Sequence, residues 1–411
     1  MSVVRFHPWP PFLVENRSSD CGNRSWQALA TAFGTPIPCR CGHGIDRSVP
    51  LQRFESIVFR SAEFLVESIN RTIHVERVRV IVNGKKQRAR LRIGVDLGGT
   101  KIECVVLGSS GAELWRKRIP APQGDYRLTI RAVTNLVQEA ERTTEMKCTV
   151  GIGTPGAISA ASGLMKNCNS VWLNGTSFKR DLEIALDREV RIANDANCFA
   201  LSEAVDGAAQ EARIVFGVIL GTGVGGAIVV DGQVLDGCNS ITGEWGHNSL
   251  PWPQDGELPG PACYCGKSGC VETFLSGPGL VDDYIRNHGL ESRQSQGHGP
   301  READPENRAY CGPGSPIGAR DVFTYAEAGE PDALACADRY VDGLARALAH
   351  VINIVDPHVI VLGGGVSNVE RIYHDVTRLW GRYIFSDSVA TRLLRNTHGD
   401  SSGVRGAAWL W

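Results

Sequence analysis

The residues of this chain that could do chemistry fall into three groups: carboxylates that follow apolar segments, glycine-rich turns, and cysteines near one histidine. Asp195 is the first candidate, because it follows the predicted strand Glu189 to Ala193 in the stretch NDAN, where a helix begins. At an N-cap position the helix dipole keeps a carboxylate ionised near neutral pH, as an acceptor for a substrate hydroxyl must be. Because an N-cap aspartate is usually structural, the argument for catalysis depends on its position between two glycine turns.

The first glycine turn lies in LRIGVDLGGTKIECVVL, from Leu91 to Leu107, which predicts a strand, a Gly-Gly turn and a second strand. Asp96 ends the first strand, and Thr100 and Lys101 supply a hydroxyl and an ammonium after the glycines. Glycines let backbone N–H groups approach an anion closely and turn outward together. An isolated match of this kind is equally typical of an ordinary hairpin.

A second stretch repeats this pattern: FGVILGTGVGGAIVV, from Phe216 to Val230, predicts a strand, a Gly-Thr-Gly turn and a strand. Aligning the two stretches pairs Gly94 with Gly217, Leu97 with Leu220 and Gly98 with Gly221. The repeat predicts two related lobes that aim their glycine turns at a shared cleft. Neither turn has the spacing of a P-loop or of a Rossmann fingerprint, which excludes those nucleotide sites. A third turn, Gly363-Gly364-Gly365, follows a predicted buried strand and offers bare backbone against which an adenosine could lie.

The cysteines and the histidine are grouped in one region. One imidazole and three thiols, His247, Cys263, Cys265 and Cys270, form a set sufficient for a closed tetrahedral zinc site. Free cysteines or a disulfide are the alternatives. No ligand position is left open, so the metal is expected to be structural. It would fix Glu244 and Glu272, which could accept hydrogen bonds from sugar hydroxyls or could simply be solvated surface charges.

A polar loop with an embedded tryptophan, KNCNSVWLNG from Lys166 to Gly175, is a further candidate for sugar binding. Amides beside an aromatic ring suit a sugar, whose C–H face stacks while its hydroxyls form hydrogen bonds. The alternative is a structural loop in which Trp172 packs into the core.

Several patterns predict the elements that position these groups. Apolar residues at helical spacing predict helices over Asp125 to Arg142 and Pro331 to Ile354. Ser367 and Glu370 predict a capping box that opens a helix, and the terminal GDSSGVRGAAWLW predicts a small-residue helix that packs closely on the core. Residues 286–320, rich in glycine, proline, serine and charge, predict a flexible insertion.

The bulk properties narrow the class of protein. The 411 residues are 42% hydrophobic with a formal net charge of −2, which predicts two or more domains and argues against a general nucleic-acid or membrane-surface binder. The thirteen cysteines are odd in number and scattered, which favours reduced thiols in a cytoplasmic protein. Residues 1–90 have weak periodicity and predict a poorly ordered extension, in which Cys39, Cys41 and His43 lack a second metal half-site.

From Leu91 to Trp411, apart from the insertion, the chain resembles the ROK family of sugar kinases and related repressors. Among these it is most similar to bacterial fructokinases of the mannofructokinase kind, in WLNG, NDANC and the GDSSGVRGAAWLW ending. The resemblance implies an α/β fold of the two-lobed actin-like, Hsp70-like (ribonuclease H-like) class with a cleft between the lobes. It implies an N-terminal lobe over residues 91–207, with about 390–411 packing back on it. A C-terminal lobe over 208–389 would carry the zinc loop and the insertion near 287–320.

The resemblance also implies roles for individual residues. ATP phosphates would be held by Gly94, Val95, Asp96, Leu97, Gly98, Gly99, Thr100 and Lys101 and by Gly221, Thr222, Gly223, Val224, Gly225 and Gly226, with adenosine near Gly363, Gly364 and Gly365. The sugar would be held by Asn169, Asn194, Asp195, Glu244, His247 and Glu272, and structural zinc by His247, Cys263, Cys265 and Cys270. Asp195 would act as the base, and Asp96 would hold Mg²⁺ through water.

The implied activity is transfer of the ATP γ-phosphoryl group to the 6-hydroxyl of D-fructose, with mannose as a second acceptor. Kinases for glucose or an N-acetylhexosamine, and a sugar-responsive ROK repressor, are the alternatives. A repressor needs a DNA-binding module, and residues 1–90 show no helix-turn-helix pattern. The expected partner is a small sugar, with neither nucleic acid nor membrane, and a homodimer is expected by resemblance.

Overall fold

The computed structural model describes residues 81–82, 85–86, 91–287 and 317–411, all of which belong to one compact unit, Val78–Trp411. Most of the N-terminal extension, with Cys39, Cys41 and His43, and most of the predicted insertion therefore lie outside the described residues. The short strands β1 (Ile81–Val82) and β2 (Lys85–Lys86) pair with each other. Regular structure continues from Leu91.

The first lobe is built on a five-stranded sheet in the order β5-β4-β3-β6-β9. In chain order the strands of this sheet are β3 (Arg92–Leu97), β4 (Lys101–Leu107), β5 (Glu113–Pro120), β6 (Thr149–Thr154) and β9 (Arg191–Asn194). Between β6 and β9, the strands β7 (Ala157–Ile158) and β8 (Met165–Lys166) form a separate small hairpin. Strands β3, β4 and β5 are antiparallel, whereas β3, β6 and β9 are parallel. The carboxyl ends of the three parallel strands therefore lie along one edge of the sheet.

The second lobe repeats this topology in the order β12-β11-β10-β13-β14. Its strands are β10 (Ile214–Leu220), β11 (Val224–Val230), β12 (Gln233–Val234), β13 (Val359–Gly363) and β14 (Arg392–Arg395). As in the first sheet, three strands are antiparallel, here β10, β11 and β12, and three are parallel, here β10, β13 and β14. The predicted repeat of strand, glycine turn and strand is confirmed, since Leu97 and Leu220 each end the first strand of their hairpin.

Nine helices cover the sheets in the described part of the chain. They are α1 (Tyr126–Thr144), α2 (Phe178–Leu186), α3 (Asp195–Val205), α4 (Val271–Leu275), α5 (Gly277–Asn287), α6 (Ala319–Glu327), α7 (Pro331–Val355), α8 (Glu370–Leu379) and α9 (Ser402–Trp409). Short 3₁₀ helices span Val171–Leu173, Trp245–His247, Gly365–Asn368, Trp380–Arg382 and Gly399–Ser401. No described helix is long and apolar enough to cross a membrane.

The helices predicted from apolar spacing are confirmed. On α1, Asp125 is the N-cap and its side chain accepts the Leu128 N–H at 2.9 Å. The predicted apolar faces of α1 and α7 are buried. The capping box before α8 was wrong, because Val369 is the N-cap and the Ser367 hydroxyl instead donates to the Gly364 carbonyl at 2.7 Å. Ser367 is thus part of the preceding 3₁₀ helix.

Helices α3 and α9 pack closely on the sheets and on each other, and glycines allow the contact. An added Cβ on Gly94 of β3 would lie 2.0 Å from the Val404 carbonyl oxygen of α9. On β10 of the second lobe, a Cβ at Gly217 would lie 2.5 Å from the Ala200 Cβ of α3. Where α3 and α9 cross, a Cβ at Gly406 would lie 1.7 Å from the Cys198 carbonyl oxygen. The predicted close packing of the terminal small-residue helix is confirmed.

Candidate active site

The two predicted carboxylates are brought together by the parallel strands of the first sheet. Asp96 lies next to the end of β3 and Asp195 follows β9 directly. A Cβ added to Gly153 of β6, the strand between them, would lie 3.7 Å from Asp96 Oδ1. Asp96 pairs with Gly153 of β6 on one side and Asn194 pairs with Thr154 of β6 on the other, which puts Asp96 and Asp195 at the same end of the sheet, where the charge of Asp195 raises the pKa of Asp96. This edge therefore carries a pair of neighbouring carboxylates.

Asp195 opens helix α3 but is not its N-cap. The N-cap is Asn194, whose side-chain oxygen accepts the Ala196 N–H at 2.8 Å, and Asp195 is the first helical residue. The N-cap assignment made from the sequence is wrong by one position. Asp195 Oδ1 also accepts the Ala196 N–H at 2.8 Å, so the carboxylate lies against the positive end of the helix.

The electrostatic surroundings of Asp195 include more than the helix dipole. Its carboxylate is accessible to solvent, yet protein atoms crowd it enough that desolvation raises its pKa above the ordinary value. The hydrogen bond from Ala196 opposes this effect and the charge of Glu244 adds to it. The helix dipole therefore acts together with desolvation and with the charge of Glu244, both of which oppose its effect on the pKa of Asp195.

The pKa of Asp96 is also raised. Burial, followed by the charges of Asp195 and Glu103, raises its pKa from 3.8 to about 6, against the opposing cations Lys101 and Arg118. Glu103 is 1% exposed and forms ion pairs with Arg118 at 2.7 Å and with Arg116. Crowded carboxylates of this kind are relieved by a bound cation.

The first glycine turn divides into a buried part and an accessible part. Gly94, Val95 and Leu97 are buried, and their contacts lie within the sheet and against α9. The Gly98 N–H donates to the Lys101 carbonyl at 3.0 Å and closes the turn. Gly99 and Thr100 are exposed, and their backbone N–H groups have no acceptor within the described part of the chain. These two N–H groups are therefore able to bind an anion.

The second glycine turn is closed in a similar way. The Gly221 N–H donates to the Gly223 carbonyl at 3.0 Å, whereas the N–H groups of Thr222 and Gly223 have no acceptor among the residues described. Thr222 is exposed and Val224 is buried. Gly225 and Gly226, which follow in β11, pack near α3 and Trp245, since a Cβ on Gly225 would lie 3.4 Å from the Ala196 Cβ.

The third glycine turn lies at the same edge as the second. Gly363 ends β13 and is buried beneath the Phe199 ring, which an added Cβ would meet at 2.4 Å. Gly364 has a φ of +84°, in the region that favours glycine, and its added Cβ would lie 2.4 Å from the Leu220 carbonyl oxygen. Gly365 is exposed, and an added Cβ there would meet nothing within 4 Å. Gly364 and Gly365 thus present open backbone beside β10, which leads into the second turn.

The predicted zinc ligands form a compact cluster. One ligand atom from each of His247, Cys263, Cys265 and Cys270 lies within 4.8 Å of all the others. Cys263 Sγ is 3.6 Å from His247 Nδ1, and Cys265 Sγ is 3.6 Å from Cys270 Sγ. Two thiolates bound to one tetrahedral zinc are separated by about 3.8 Å. The donor types and distances therefore fit a zinc ion.

Local geometry explains how a short segment builds this cluster. Gly266 and Gly269 have φ values of +84° and +71°, which supports the prediction that glycine makes the tight turn between the thiols. Burial, followed by hydrogen bonding with neighbouring thiols, raises the pKa of Cys270 to about 12. Several thiols held this close ionise together only when a cation neutralises them.

His247 offers its two ring nitrogens to different partners. Nδ1 faces the cysteine cluster, whereas Nε2 is 2.8 Å from the Tyr264 hydroxyl oxygen. The rings of His247 and Tyr264 meet edge to face with centroids 5.0 Å apart. If Nδ1 binds the metal, Nε2 carries the proton and donates to Tyr264. The sequence predicted both a metal and a sugar role for His247, and Tyr264 occupies the nitrogen that a sugar would use.

The remaining predicted sugar residues have different surroundings. Asn169 and Glu244 are exposed, and the Asn194 amide is 3.5 Å from the Gly156 carbonyl oxygen. Glu272 is engaged elsewhere, since its Oε2 accepts the Val224 N–H at 2.9 Å. The Trp172 indole N–H donates to Thr129 Oγ1 at 3.3 Å, so this tryptophan packs against α1.

Ser170 and Gly403 are two site residues that the sequence did not single out. The Ser170 hydroxyl is buried without a hydrogen-bond partner among the described residues and lies 3.8 Å from a Cβ added to Gly99. A Cβ at Gly403, in the first turn of α9, would lie 3.5 Å from the Asp96 carboxyl. In the sequence, Ser170 could have been noticed because it follows Asn169, and Gly403 because it belongs to the Ser-Ser-Gly start of the terminal helix.

Known proteins resemble this chain in sequence and in fold. Residues 92–411 match the ROK family. An N-acetyl-D-glucosamine kinase of Yersinia pseudotuberculosis is 36% identical over 321 residues, which are 77% of this chain and 97% of the relative.

Two solved structures of ROK proteins have a similar fold. A ROK hexokinase from Thermus thermophilus has a TM-score of 0.65 and 29% identity, and covers 78% of this chain and 97% of its own. A ROK glucokinase from Streptomyces griseus, solved with glucose and AMPPNP, has a TM-score of 0.58 and 26% identity and covers 77% and 98%. The predicted two-lobed actin-like α/β fold is confirmed.

Proposed function

The chain belongs to the ROK family, and on that premise we propose that it transfers the γ-phosphoryl group of ATP to the 6-hydroxyl of N-acetyl-D-glucosamine. The observation that carries the proposal is the placement of Asp195 beside Asp96, at the strand edge from which the first glycine turn leaves. Phosphoryl transfer requires mainly positioning and charge stabilisation, which is what such an arrangement provides.

Asp195 is the proposed base. Its carboxylate would accept the proton of the 6-hydroxyl as the sugar oxygen bonds to the γ-phosphorus and the bond from that phosphorus to ADP breaks. The raised pKa makes Asp195 a better proton acceptor than an ordinary aspartate, while its accessibility lets a hydroxyl approach. Its hydrogen bond to the Ala196 N–H fixes the orientation of the carboxylate.

The nucleotide is proposed to bind along the three glycine turns. The N–H groups of Gly99, Thr100, Thr222 and Gly223 would bind phosphate oxygens, and Gly364 and Gly365 would face the adenosine. The buried residues Gly94, Val95, Leu97 and Val224 would instead shape the strands that carry these turns. Asp96 would hold Mg²⁺, which when bound neutralises charge on the phosphates.

Two sugars compete for the assignment. The relatives of 36–37% identity are N-acetyl-D-glucosamine kinases, which favours that sugar. The WLNG, NDANC and GDSSGVRGAAWLW motifs instead resemble fructokinases, which favours D-fructose as the second candidate. In either case the proposed sugar residues are Asn169, Asn194 and Glu244, together with His247 if the sugar displaces the Tyr264 hydroxyl from Nε2.

A panel of sugars tests the proposal. Initial rates of ADP formation would be measured with ATP and Mg²⁺ on N-acetyl-D-glucosamine, N-acetyl-D-mannosamine, D-fructose, D-glucose and D-mannose. We expect the highest kcat/KM on N-acetyl-D-glucosamine. A higher value on fructose would overturn the substrate assignment but retain the kinase. Sugar binding without ADP formation on any member of the panel would overturn the kinase and favour a sugar-responsive regulator.

Zinc content, oligomeric state and the boundary between the lobes are further features that we propose by analogy with the family. We propose a zinc-bearing cytoplasmic homodimer whose lobes divide near residue 207, with residues about 390–411 belonging to the first lobe. Size-exclusion chromatography with light scattering measures the oligomeric state, and metal analysis of the purified protein measures the zinc content. One zinc per chain is the expected result.

A further inference from the structure

One short segment contacts both the cysteine cluster and the second glycine turn. This segment runs from Cys270, a proposed zinc ligand, through α4 to Gly277. At one end of the glycine turn, the Gly277 N–H donates to the Gly221 carbonyl at 2.8 Å. At the other end, Glu272 Oε2 accepts the Val224 N–H at 2.9 Å. The segment therefore forms a hydrogen bond with each end of the turn.

The contact between Glu272 and the turn requires a glycine beside it. A Cβ added to Gly223 would lie 2.5 Å from Glu272 Oε2, so a side chain at that position would displace the carboxylate. Gly277 also approaches closely, because its added Cβ would lie 3.3 Å from the Gly221 carbonyl oxygen. A hydrogen bond from a backbone N–H to a carboxylate is stronger than a neutral one. The close fit at the two ends of the turn therefore requires glycine at position 223 and favours it at position 277.

The segment itself is held firmly. Val271 is 2% exposed, and its N–H donates to the Asn248 carbonyl at 2.8 Å. Cys270 is also buried, and its thiol lies 3.6 Å from the His247 carbonyl oxygen. The Ser276 N–H donates to the Glu272 carbonyl at 3.1 Å and completes the short helix. A metal ion on Cys270 would therefore restrain the backbone immediately before Glu272.

We infer that Glu272 is a positioning residue that holds the second glycine turn in the conformation that binds the phosphates of a nucleoside diphosphate or triphosphate. The inference rests on the proposed function, in which Thr222 and Gly223 bind phosphate oxygens. Glu272 acts through the backbone of the turn, so its effect on nucleotide affinity is present without any sugar. A residue that served only as a sugar ligand would have no such effect.

Three variants separate reach from charge at this position. Glu272→Gln keeps an oxygen that accepts the Val224 N–H, whereas Glu272→Asp keeps the charge but is one methylene too short to reach it. Glu272→Ala removes both. Glu244→Ala is the matched control, because the sequence predicted a sugar role for Glu244 as it did for Glu272, but Glu244 has no hydrogen bond to the glycine turn among the described residues.

The measurement is the Kd of Mg²⁺–ADP by isothermal titration calorimetry without sugar, with zinc content and unfolding midpoint recorded for each variant. We expect about tenfold weaker binding in the Ala and Asp variants, the loss typical of one hydrogen bond to a charged group. The Gln variant should remain within about threefold of the parent, because a neutral hydrogen bond replaces a charge-assisted one. The Glu244→Ala control should bind as the parent does.

Each outcome decides the matter. Parent-like ADP affinity in both the Ala and the Asp variants would overturn the inference while leaving the proposed kinase intact. Equal weakening in the Gln and Asp variants would also overturn it, because reach would then not matter. If the Ala variant fails to fold, the comparison of Asp with Gln carries the test alone. A parent protein that does not bind ADP would overturn the proposed function and this inference together.

Discussion

Replacing Asp96 by asparagine should make the magnesium-free protein more stable near pH 8 while abolishing its proposed cation site. In the folded protein, burial and the charges of Asp195 and Glu103 raise the pKa of Asp96 to about 6 from 3.8. The folded state therefore binds the proton more tightly than the unfolded state does. Between about pH 4 and pH 6 this difference lowers the stability as the pH rises, and the ionised carboxylate remains unfavourable above that range.

The size of the effect follows from the same values. A carboxyl pKa of about 6 instead of 3.8 corresponds to at most about 3 kcal/mol of unfavourable free energy above pH 6. Asp96 is only partly buried by surface area, and solvent screening reduces the figure to about 1–2 kcal/mol. An asparagine side chain at this position is neutral and nearly isosteric, so it would avoid this cost.

Urea unfolding at pH 8 and pH 4 measures the difference directly. We expect Asp96→Asn to raise the free energy of unfolding at pH 8 and to leave it nearly unchanged at pH 4, where the parent carboxyl is largely protonated. Added Mg²⁺ should stabilise the parent but not the variant. Asp206→Asn is the matched control of opposite sign, because burial of Asp206 is outweighed by hydrogen bonds from His398 and Arg405, which lower its pKa. That control should lose stability at pH 8.

An Asp96→Asn protein that is no more stable than the parent at pH 8 would refute this reasoning. It would mean that Lys101 and Arg118, which oppose the rise in pKa, outweigh burial and the neighbouring carboxylates. Equal gains at pH 8 and pH 4 would also refute it, because the effect would then not come from ionisation.

Two further changes test the metal cluster and the helix crossing. Tyr264→Phe removes the hydroxyl that lies 2.8 Å from His247 Nε2. In a chelator competition it should lower the zinc affinity by about tenfold, because that hydroxyl orients the His247 ring. Unchanged zinc affinity would mean that Tyr264 does not orient the ligand. Gly406→Ala forces a Cβ to within 1.7 Å of the Cys198 carbonyl oxygen and should lower the free energy of unfolding by about 3 kcal/mol or more. Gly381→Ala is its control, since a Cβ there meets nothing within 4 Å, and equal losses in the two variants would contradict the crossing contact.

The repeat was readable from the sequence, but the reason for its glycines was not. Gly94 and Gly217 allowed the two hairpins to be aligned, and the strands they predict are present in both lobes. In the structure these two glycines lie against α9 and α3 respectively. Gly94 and α9 are separated by most of the described chain, so no local pattern could reveal their contact. Tertiary packing, which a single sequence does not display, decides such positions.

The pKa of Asp195 also depends on contacts that are not local in sequence. The helix dipole is a local property, and it acts on Asp195 through the Ala196 N–H as expected. Desolvation and the charge of Glu244 come from distant parts of the chain, and they reverse the direction of the pKa change. Choosing Asp195 instead of Asn194 as the N-cap was a one-residue error between two residue types with similar capping preference.

The cluster of His247 and three cysteines was the most predictable part of the site. Its ligands lie close together in sequence, and two glycines permit the turn between them, so little tertiary information was needed. Glu272 shows the limit of that reasoning. Its place in the motif indicated a site residue, but its hydrogen bond to Val224 depends on how α4 lies against β11.

The most direct test of the account is the rate of sugar phosphorylation by Asp195→Asn. Asn194 still caps α3 in this variant, so the fold and the binding of Mg²⁺–ADP and of the sugar should remain within a few-fold of the parent. Loss of the base should lower kcat on N-acetyl-D-glucosamine by about 10²–10⁴-fold. A variant that forms ADP and sugar phosphate at the parent rate would contradict the central claim that Asp195 accepts the proton of the attacking hydroxyl.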